Sequence, residues 1–284
     1  MTAGERRRHH QSTNPLSMDG TTAPATRLLY FDDMWALQSS ATVLSFQEDG
    51  TRQAVILDAT IFHPQGGGQP ADTGFIVSTG DEADEQVRFL VEDVRSKDGV
   101  VYHYGKFEEI QDRSKSHFRE GKQVNLHVNE ERRNLNSRLH SAGHLLDICI
   151  RNVSLSHLEP GKGYHFPDGP FVEYKGTIAH DQLETKKLEL EKEANTLISM
   201  GAKVSACILP YEVAAEWCGG ALPSYISRDS TPRILKFGEH DGCPCGGTHV
   251  SDISVIGSLK VTQIRTKKGE KQAVQFYYSI HNIV

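Results

Sequence analysis

A pair of histidines, His140 and His144, constrains this chain more than any other feature of its sequence. Leucines flank the pair and an apolar run continues to Ile150, which favours a buried helix. Residues four apart on a helix share one face, so two neutral imidazoles can bind one divalent metal without distorting the backbone. HxxxH alone is a weak indication, and the alternative is two inert, hydrogen-bonded histidines on a core helix.

The segment Cys-Gly-Gly-Thr-His at 245–249 strengthens the metal interpretation. Cys245 and His249 supply a thiolate and an imidazole in a turn whose glycines let the backbone approach closely. Three imidazoles and one thiolate suit Zn²⁺ in tetrahedral geometry. The wide separation of the two pairs differs from a zinc finger and predicts a site on a large preformed fold. Cys243 competes as a ligand, and Cys245 is favoured by its spacing to His249.

Composition limits the class of protein. The 284 residues suffice for one large domain or two moderate ones, and an odd count of five cysteines favours reduced thiols. A net charge of -6 argues against general polyanion binding, so a nucleic acid would need a local basic surface. No apolar run reaches the ~18 residues of a membrane span, and we expect no membrane partner.

The first 26 residues predict a disordered tail, because they are polar and carry almost no large apolar side chain. A mitochondrial presequence is the alternative, since Arg6, Arg7 and Arg8 are basic. Glu5 and Asp19 argue against it, so we expect a cytoplasmic protein.

Residues 27–128 predict a small β-barrel-like domain, because short β-branched and aromatic runs alternate with turn residues. The six predicted strands are 41–46, 53–57, 75–77, 87–91, 100–104 and 123–128. Among them lies a glycine-rich segment at 60–74, with three consecutive glycines bracketed by Gln65 and Gln69. It suits close hydrogen bonding to a polar ligand, and a plain hinge is the alternative.

Residues 129–284 predict a second, α/β domain whose mostly antiparallel sheet packs on helices. Helices are expected at 129–152 and 179–200, with a loop at 159–163 and a C-terminal hairpin at 256–278. The predicted fold class is therefore α+β, with the β-barrel-like domain first.

Two side chains of this second domain allow opposed interpretations. Arg138 follows Arg132 and Arg133 along the histidine helix, and such arginines either face solvent or steer phosphate groups toward the site. His165 either contacts a substrate or only occupies a strand.

The motifs GGGQPADTG, HxxxH and CGGTHV occur here in that order and together resemble the editing domain of alanyl-tRNA synthetase. A free-standing chain of this size resembles the AlaX trans-editing proteins, in their medium-length class. The histidine and cysteine motifs also occur in threonyl-tRNA synthetase editing domains, but the glycine-rich motif indicates the alanyl side. The resemblance covers about residues 27–284.

The resemblance implies a hydrolase that deacylates mischarged Ser-tRNA(Ala), with Gly-tRNA(Ala) as a further candidate, because an alanine site cannot exclude these amino acids well. The implied partner is tRNA, the implied cofactor is Zn²⁺ and a monomer is the default expectation. The implied zinc ligands are His140, His144, Cys245 and His249. The expected catalytic residues are His140, His144 and Gln69. The expected substrate-binding residues are Gly66, Gly67, Gly68, Gln69, Arg138 and His165.

The role of zinc stays open at this stage. Zinc could polarise the attacking water, but four protein ligands would close the tetrahedron and leave zinc a positioning role. The competing functions are a zinc-stabilised tRNA-binding module without hydrolysis, threonyl-type editing and a general metallohydrolase of small esters.

Overall fold

The computed structural model describes residues 24–49, 52–78, 86–108, 118–267 and 272–282. Its strands are β1 (Arg27–Leu28), β2 (Gln38–Asp49), β3 (Arg52–Leu57), β4 (Ala59–Thr60), β5 (Gly74–Ser78), β6 (Arg88–Lys97), β7 (Val100–Phe107), β8 (Gln123–Val128), β9 (Glu159–Tyr164), β10 (Phe171–Lys175), β11 (Val204–Ile208), β12 (Arg233–Phe237), β13 (Cys243–Pro244), β14 (Ser258–Lys267) and β15 (Ala273–His281). Its α-helices are α1 (Glu130–Asn152), α2 (Leu183–Met200) and α3 (Tyr211–Trp217). None of these helices is both long enough and apolar enough to cross a membrane. The predicted tail at 1–26 lies outside the described residues apart from 24–26, of which Thr26 is buried.

The N-terminal part is a closed antiparallel barrel in the strand order β2-β3-β7-β6-β5-β8. All six predicted strands are present, which confirms the barrel. Alternate residues of each strand point inward, so Val55, Phe89 and Leu126 fill the interior and are fully buried. Closure leaves these strands without free edges.

The C-terminal part contains two antiparallel sheets, ordered β14-β15-β10-β9 and β11-β12-β13, that share one core with α1 and α2. The α+β class is therefore confirmed. The loop predicted at 159–163 is wrong, because Glu159–Tyr164 forms strand β9. As an edge strand, β9 pairs on one side only, which lets it tolerate Pro160 and two glycines.

Helix α1 begins where the sequence predicts. The Asn129 side chain accepts a hydrogen bond from the Arg132 backbone N–H, and Glu130 and Glu131 favour the positive end of the helix dipole. A polar stripe then runs along one face of the helix at the spacing i, i+4, i+7, i+11. Its members are Arg133, Ser137, His140 and His144.

Arg133, the first residue of this stripe, joins α1 to the barrel. Its side chain is 2% exposed and its Nη2 lies 2.6 Å from Oδ2 of Asp72, which is fully buried. The same guanidinium donates to the Met34 and Ile61 carbonyls at 3.0 and 2.6 Å. Because Asp72 belongs to the glycine-rich segment, this ion pair fixes that segment against the histidine helix.

Candidate metal centre

The two predicted ligand pairs meet in space. One ligand atom from each of His140, His144, Cys245 and His249 lies within 4.8 Å of the others, so the group could hold a metal ion. Helix α1 supplies the first pair, and the loop after β13 supplies the second. Cys243 is outside this group, as its spacing predicted.

Two of the three histidines are oriented by hydrogen bonds to Nδ1. The Gln69 side-chain carbonyl accepts from Nδ1 of His140 at 2.7 Å, while Ser141 Oγ lies 3.2 Å from Nδ1 of His249. The Nε2 atoms of both rings face Cys245 Sγ, at 3.6 Å for His140 and 3.2 Å for His249. A protonated Nδ1 leaves Nε2 as the lone-pair donor that a metal needs.

His144 follows the same rule. Its Nδ1 lies 3.3 Å from Cys243 Sγ and 3.4 Å from Asp147 Oδ2. The Asp147 carboxylate is itself held by the buried Tyr174 hydroxyl. Nε2 of His144 is buried and has no hydrogen-bond partner among the residues that the structure describes, which is costly for a polar atom. A metal ion at the centre of the group would satisfy this atom.

Burial and the charges of the centre set its protonation states. Burial lowers the pKa of His140 and of His249, so both imidazoles are neutral at pH 7. Burial opposes a thiolate at Cys245, but His144, the Gly247 backbone N–H and Arg233 together outweigh it and lower the pKa of that thiol. Conversely, Cys243 and Cys245 outweigh burial and raise the pKa of His144. Neutral imidazoles and a thiolate are the protonation states in which these groups bind zinc, so a metal would have to displace the proton of His144.

The cysteine loop is shaped by a buried cation and a glycine. Arg233 Nη1 donates to the carbonyls of Cys245 and Gly247 at 2.9 and 3.0 Å. A Cβ atom at Gly247 would overlap the His140 ring and lie 2.7 Å from the Gln69 side-chain oxygen. Only glycine therefore lets the loop close on the histidine helix.

A cleft of about 220 Å³, the metal cleft, is lined by three of the four candidate ligands, His140, His144 and Cys245. Among the predicted substrate-binding residues, Gly67 and His165 line it. Gly68 lies behind the cleft, where its carbonyl accepts from the His165 backbone N–H at 2.8 Å. The backbones of Gly66 and Gln69 form an isolated antiparallel β-bridge.

Gln69 occupies a different position from the one that a substrate-facing residue would have. It is fully buried, and its side-chain oxygen accepts both from His140 and from the Thr248 backbone N–H at 3.0 Å. Its side-chain amide donates to Thr248 Oγ1 at 2.8 Å. Gln69 thus connects the glycine-rich segment to both metal-binding motifs.

Arg138 does not reach the metal cleft. Its guanidinium donates to the carbonyl of Ile256 at 2.8 Å and to that of His281 at 3.2 Å. It lines a separate cavity together with Arg133, Ser137 and His249.

Several residues that shape the centre were missed by sequence reasoning. Ser141, Asp147, Tyr174, Arg233 and Tyr278 act through contacts between distant segments, and no spacing in the sequence indicates those contacts. Ser141 and Asp147 carried a weak signal, because they lie one and three residues from a candidate ligand on the same helix.

Comparisons with known proteins agree with this geometry. The family model of class II (A) tRNA synthetases matches residues 5–132, and that of the threonyl and alanyl tRNA synthetase second additional domain matches residues 233–275. The alanyl-tRNA editing protein AlaX-L of Pyrococcus horikoshii is 29% identical over 87% of this chain and 57% of its own length.

Alanine–tRNA ligases are similar over the same region. Those of Halobacterium salinarum and Pyrococcus furiosus are 32% and 30% identical over 84% and 86% of this chain. The chain spans 24% and 25% of their lengths. The glycine-rich, HxxxH and CGGTH motifs are joined in one site, and these matches show that the chain is related to alanyl-tRNA editing proteins and to the corresponding region of alanine–tRNA ligases.

Proposed function

We propose that this protein is a hydrolase that removes serine from mischarged Ser-tRNA(Ala), with zinc held by His140, His144, Cys245 and His249. The observation that carries the proposal is the convergence of these ligands beside a cleft that Gly67 of the glycine-rich segment also lines. A small cleft on the metal suits the end of an aminoacylated nucleotide. Zinc held by all four ligands would position the substrate, and it would supply Lewis acidity to the ester once one ligand leaves its place to water or substrate.

The chain's own residues hold the protons of the centre in place. Gln69, Ser141 and the Asp147–Cys243 pair each face one Nδ1 atom, so all three Nε2 lone pairs point to a single position. Such partners raise the basicity of a ligand and fix the ring orientation. These contacts make Gln69 a positioning residue.

His165 is the group best placed to recognise the substrate's serine. The Tyr278 hydroxyl donates to the Leu139 carbonyl at 2.9 Å and accepts from His165 Nδ1 at 2.7 Å. Burial lowers the pKa of His165 to about 3, so its Nε2 carries a lone pair at neutral pH. A Cβ atom at Gly163 would overlap this Nε2, and glycine there keeps the space open.

A hydroxyl group of bound serine can donate to Nε2 of His165, whereas alanine would leave this acceptor unpaired. Sites that hydrogen-bond a substrate hydroxyl discriminate strongly against analogues that lack it. This difference gives the protein a physical basis for hydrolysing Ser-tRNA(Ala) while sparing Ala-tRNA(Ala).

The test is a deacylation assay with Ser-tRNA(Ala), Gly-tRNA(Ala) and Ala-tRNA(Ala). We expect release of serine, little release of alanine, and loss of activity in His144→Ala. His180→Ala, which changes an exposed histidine, is the matched control and should behave as wild type. Equal release from all three substrates, or full activity of His144→Ala, would contradict the proposal.

A zinc-stabilised tRNA-binding module is the second candidate, because four protein ligands are typical of structural zinc sites. It predicts stoichiometric zinc and tRNA binding without release of any amino acid. Metal analysis, tRNA binding and the deacylation assay on one preparation distinguish the two functions.

A further inference from the structure

We propose that a second cavity, formed between α1 and the residues that precede the barrel, binds a single-stranded nucleotide of the tRNA other than the aminoacylated one. This proposal rests on the proposed function and deepens it. The cavity measures about 540 Å³, within the range of about 300–1,000 Å³ of small-molecule sites. We call it the Trp35 cavity, after the aromatic residue at its wall.

Trp35 offers a stacking surface. Its side chain is 50% exposed, unusual for a tryptophan, yet its indole N–H is already satisfied by the His249 carbonyl at 3.1 Å. The hydrogen bond fixes the ring while a face remains available. Bases stack on such rings with little regard to sequence, because every base has an aromatic face.

Arg138 offers a fixed positive charge in the same cavity. Four acceptor contacts hold its guanidinium, to Ile256, His281 and Asn282, and all of these acceptors are neutral. Within the described residues no carboxylate pairs with Arg138 and none lines the cavity. Burial lowers the pKa of Arg138, as expected for a cation without a counter-charge. An anionic ligand would neutralise it.

The remaining wall of the cavity suits a nucleotide. Asn134, Ser137 and Ser254 supply neutral polar groups, and Val255 adds apolar surface. A stacking ring, a pre-positioned cation and polar rims are the features with which proteins bind single-stranded RNA. They would place a base on Trp35 and a phosphate on Arg138.

The Trp35 cavity adjoins the metal centre through one residue. His249 takes part in both sites, with its imidazole in the metal centre and its carbonyl bound to Trp35. A single tRNA can therefore contact both sites, with its terminal adenosine in the metal cleft and another nucleotide in the Trp35 cavity.

Tryptophan fluorescence provides a direct test. The chain has two tryptophans, so Trp217→Phe leaves Trp35 as the single reporter. We expect the RNA trinucleotide CCA to quench this emission saturably, and neither cytidine nor inorganic phosphate alone to match it. In the Trp217→Phe background, Arg138→Gln should weaken trinucleotide binding about tenfold or more. It should also reduce by about one the slope of the logarithm of the affinity against the logarithm of the salt concentration. Arg151→Gln removes an exposed arginine of the same helix and should change neither.

Unfolding curves of each variant establish that it is folded, and Arg138→Lys, which keeps the charge, should recover part of the affinity. Unchanged emission at millimolar trinucleotide, or equal affinities for wild type and Arg138→Gln, would overturn the proposal.

Kinetics separate this proposal from the proposed function. Arg138→Gln should raise KM for Ser-tRNA(Ala) by about fivefold or more with kcat preserved. It should leave hydrolysis of seryl-adenosine unchanged, because the Arg138 side chain is hydrogen-bonded to Ile256, His281 and Asn282 and not to a candidate metal ligand. A loss of kcat on both substrates would mean that Arg138 only supports the fold around α1, and would overturn the nucleotide site. If the wild-type protein deacylates nothing while the trinucleotide still quenches Trp35, the proposed function fails and the RNA site stands.

Discussion

The buried ion pair between Arg133 and Asp72 makes a sharp prediction about stability. Asp72 is fully buried and faces Nε and Nη2 of Arg133, while its Oδ2 also accepts from the His63 backbone N–H at 2.7 Å. Asp72→Asn keeps the shape but leaves the guanidinium uncompensated in the interior. Breaking a buried pair in this way costs about 3–5 kcal/mol. We expect the free energy of unfolding, measured in urea, to fall by that amount.

The matched control is the surface pair Arg88–Glu108, which has a similar separation of 3.1 Å but side chains 41% and 44% exposed. Glu108→Gln should change stability by at most about 1 kcal/mol, because water screens the pair. The double variant Asp72→Asn, Arg133→Met should lose less than the two single changes added together. If Asp72→Asn costs no more than Glu108→Gln, burial does not decide the strength of this pair and the reasoning is refuted.

Three further predictions concern the barrel and the metal centre. Burial lowers the pKa of His103 to about 4 in the folded protein. Between about pH 6.5 and 4 the unfolded protein therefore binds more protons at His103 than the folded protein, and the free energy of unfolding falls as the pH drops through that window. His103→Gln should remove about 2–3 kcal/mol of the stability difference between pH 7 and 4.5, measured by urea unfolding; an unchanged difference contradicts the assignment. Gly247→Ala should weaken zinc binding at least about tenfold in a chelator competition, because its Cβ would overlap His140. Gly246→Ala is its control, since the nearest side chain lies 3.8 Å from the added Cβ. Ser141→Ala should lower zinc affinity by about 10–100-fold while Ser254→Ala, remote from the centre, leaves it unchanged; equal affinities would exclude a role for the His249 Nδ1 contact.

The sequence predicts the barrel and the ligand set because each depends on local periodicity. Strand alternation marks the six barrel strands, and a spacing of four places His140 and His144 on one helical face. The same rule separates Arg138 from His140, since two helical positions differ by about 200° and point to opposite faces. The helical spacing was therefore enough to place Arg138 on a different face from His140, although its position after Arg132 and Arg133 suggested a role that the three arginines share.

Other features could not be predicted, since they depend on how distant segments pack. His165 and Tyr278 meet across the four-stranded sheet, where Phe171 of β10 pairs with Tyr277 of β15. The strand at 159–164 depends on its edge position, which a sequence containing Pro160 does not reveal. Domain boundaries and the roles of the site residues remain predictions.

The three sequence motifs are one physical unit. Gln69 of the glycine-rich segment accepts from His140 of HxxxH and from the backbone N–H of Thr248 in the CGGTH loop. These contacts hold both motifs and direct the ligand atoms to one position. Because hydrogen bonds and a large core support both motifs, we expect the fold to depend less on metal than the folds of small zinc domains do. Gln69→Leu should therefore lower the metal affinity, because it loosens both motifs at once. The barrel has a separate core, so its stability should not change.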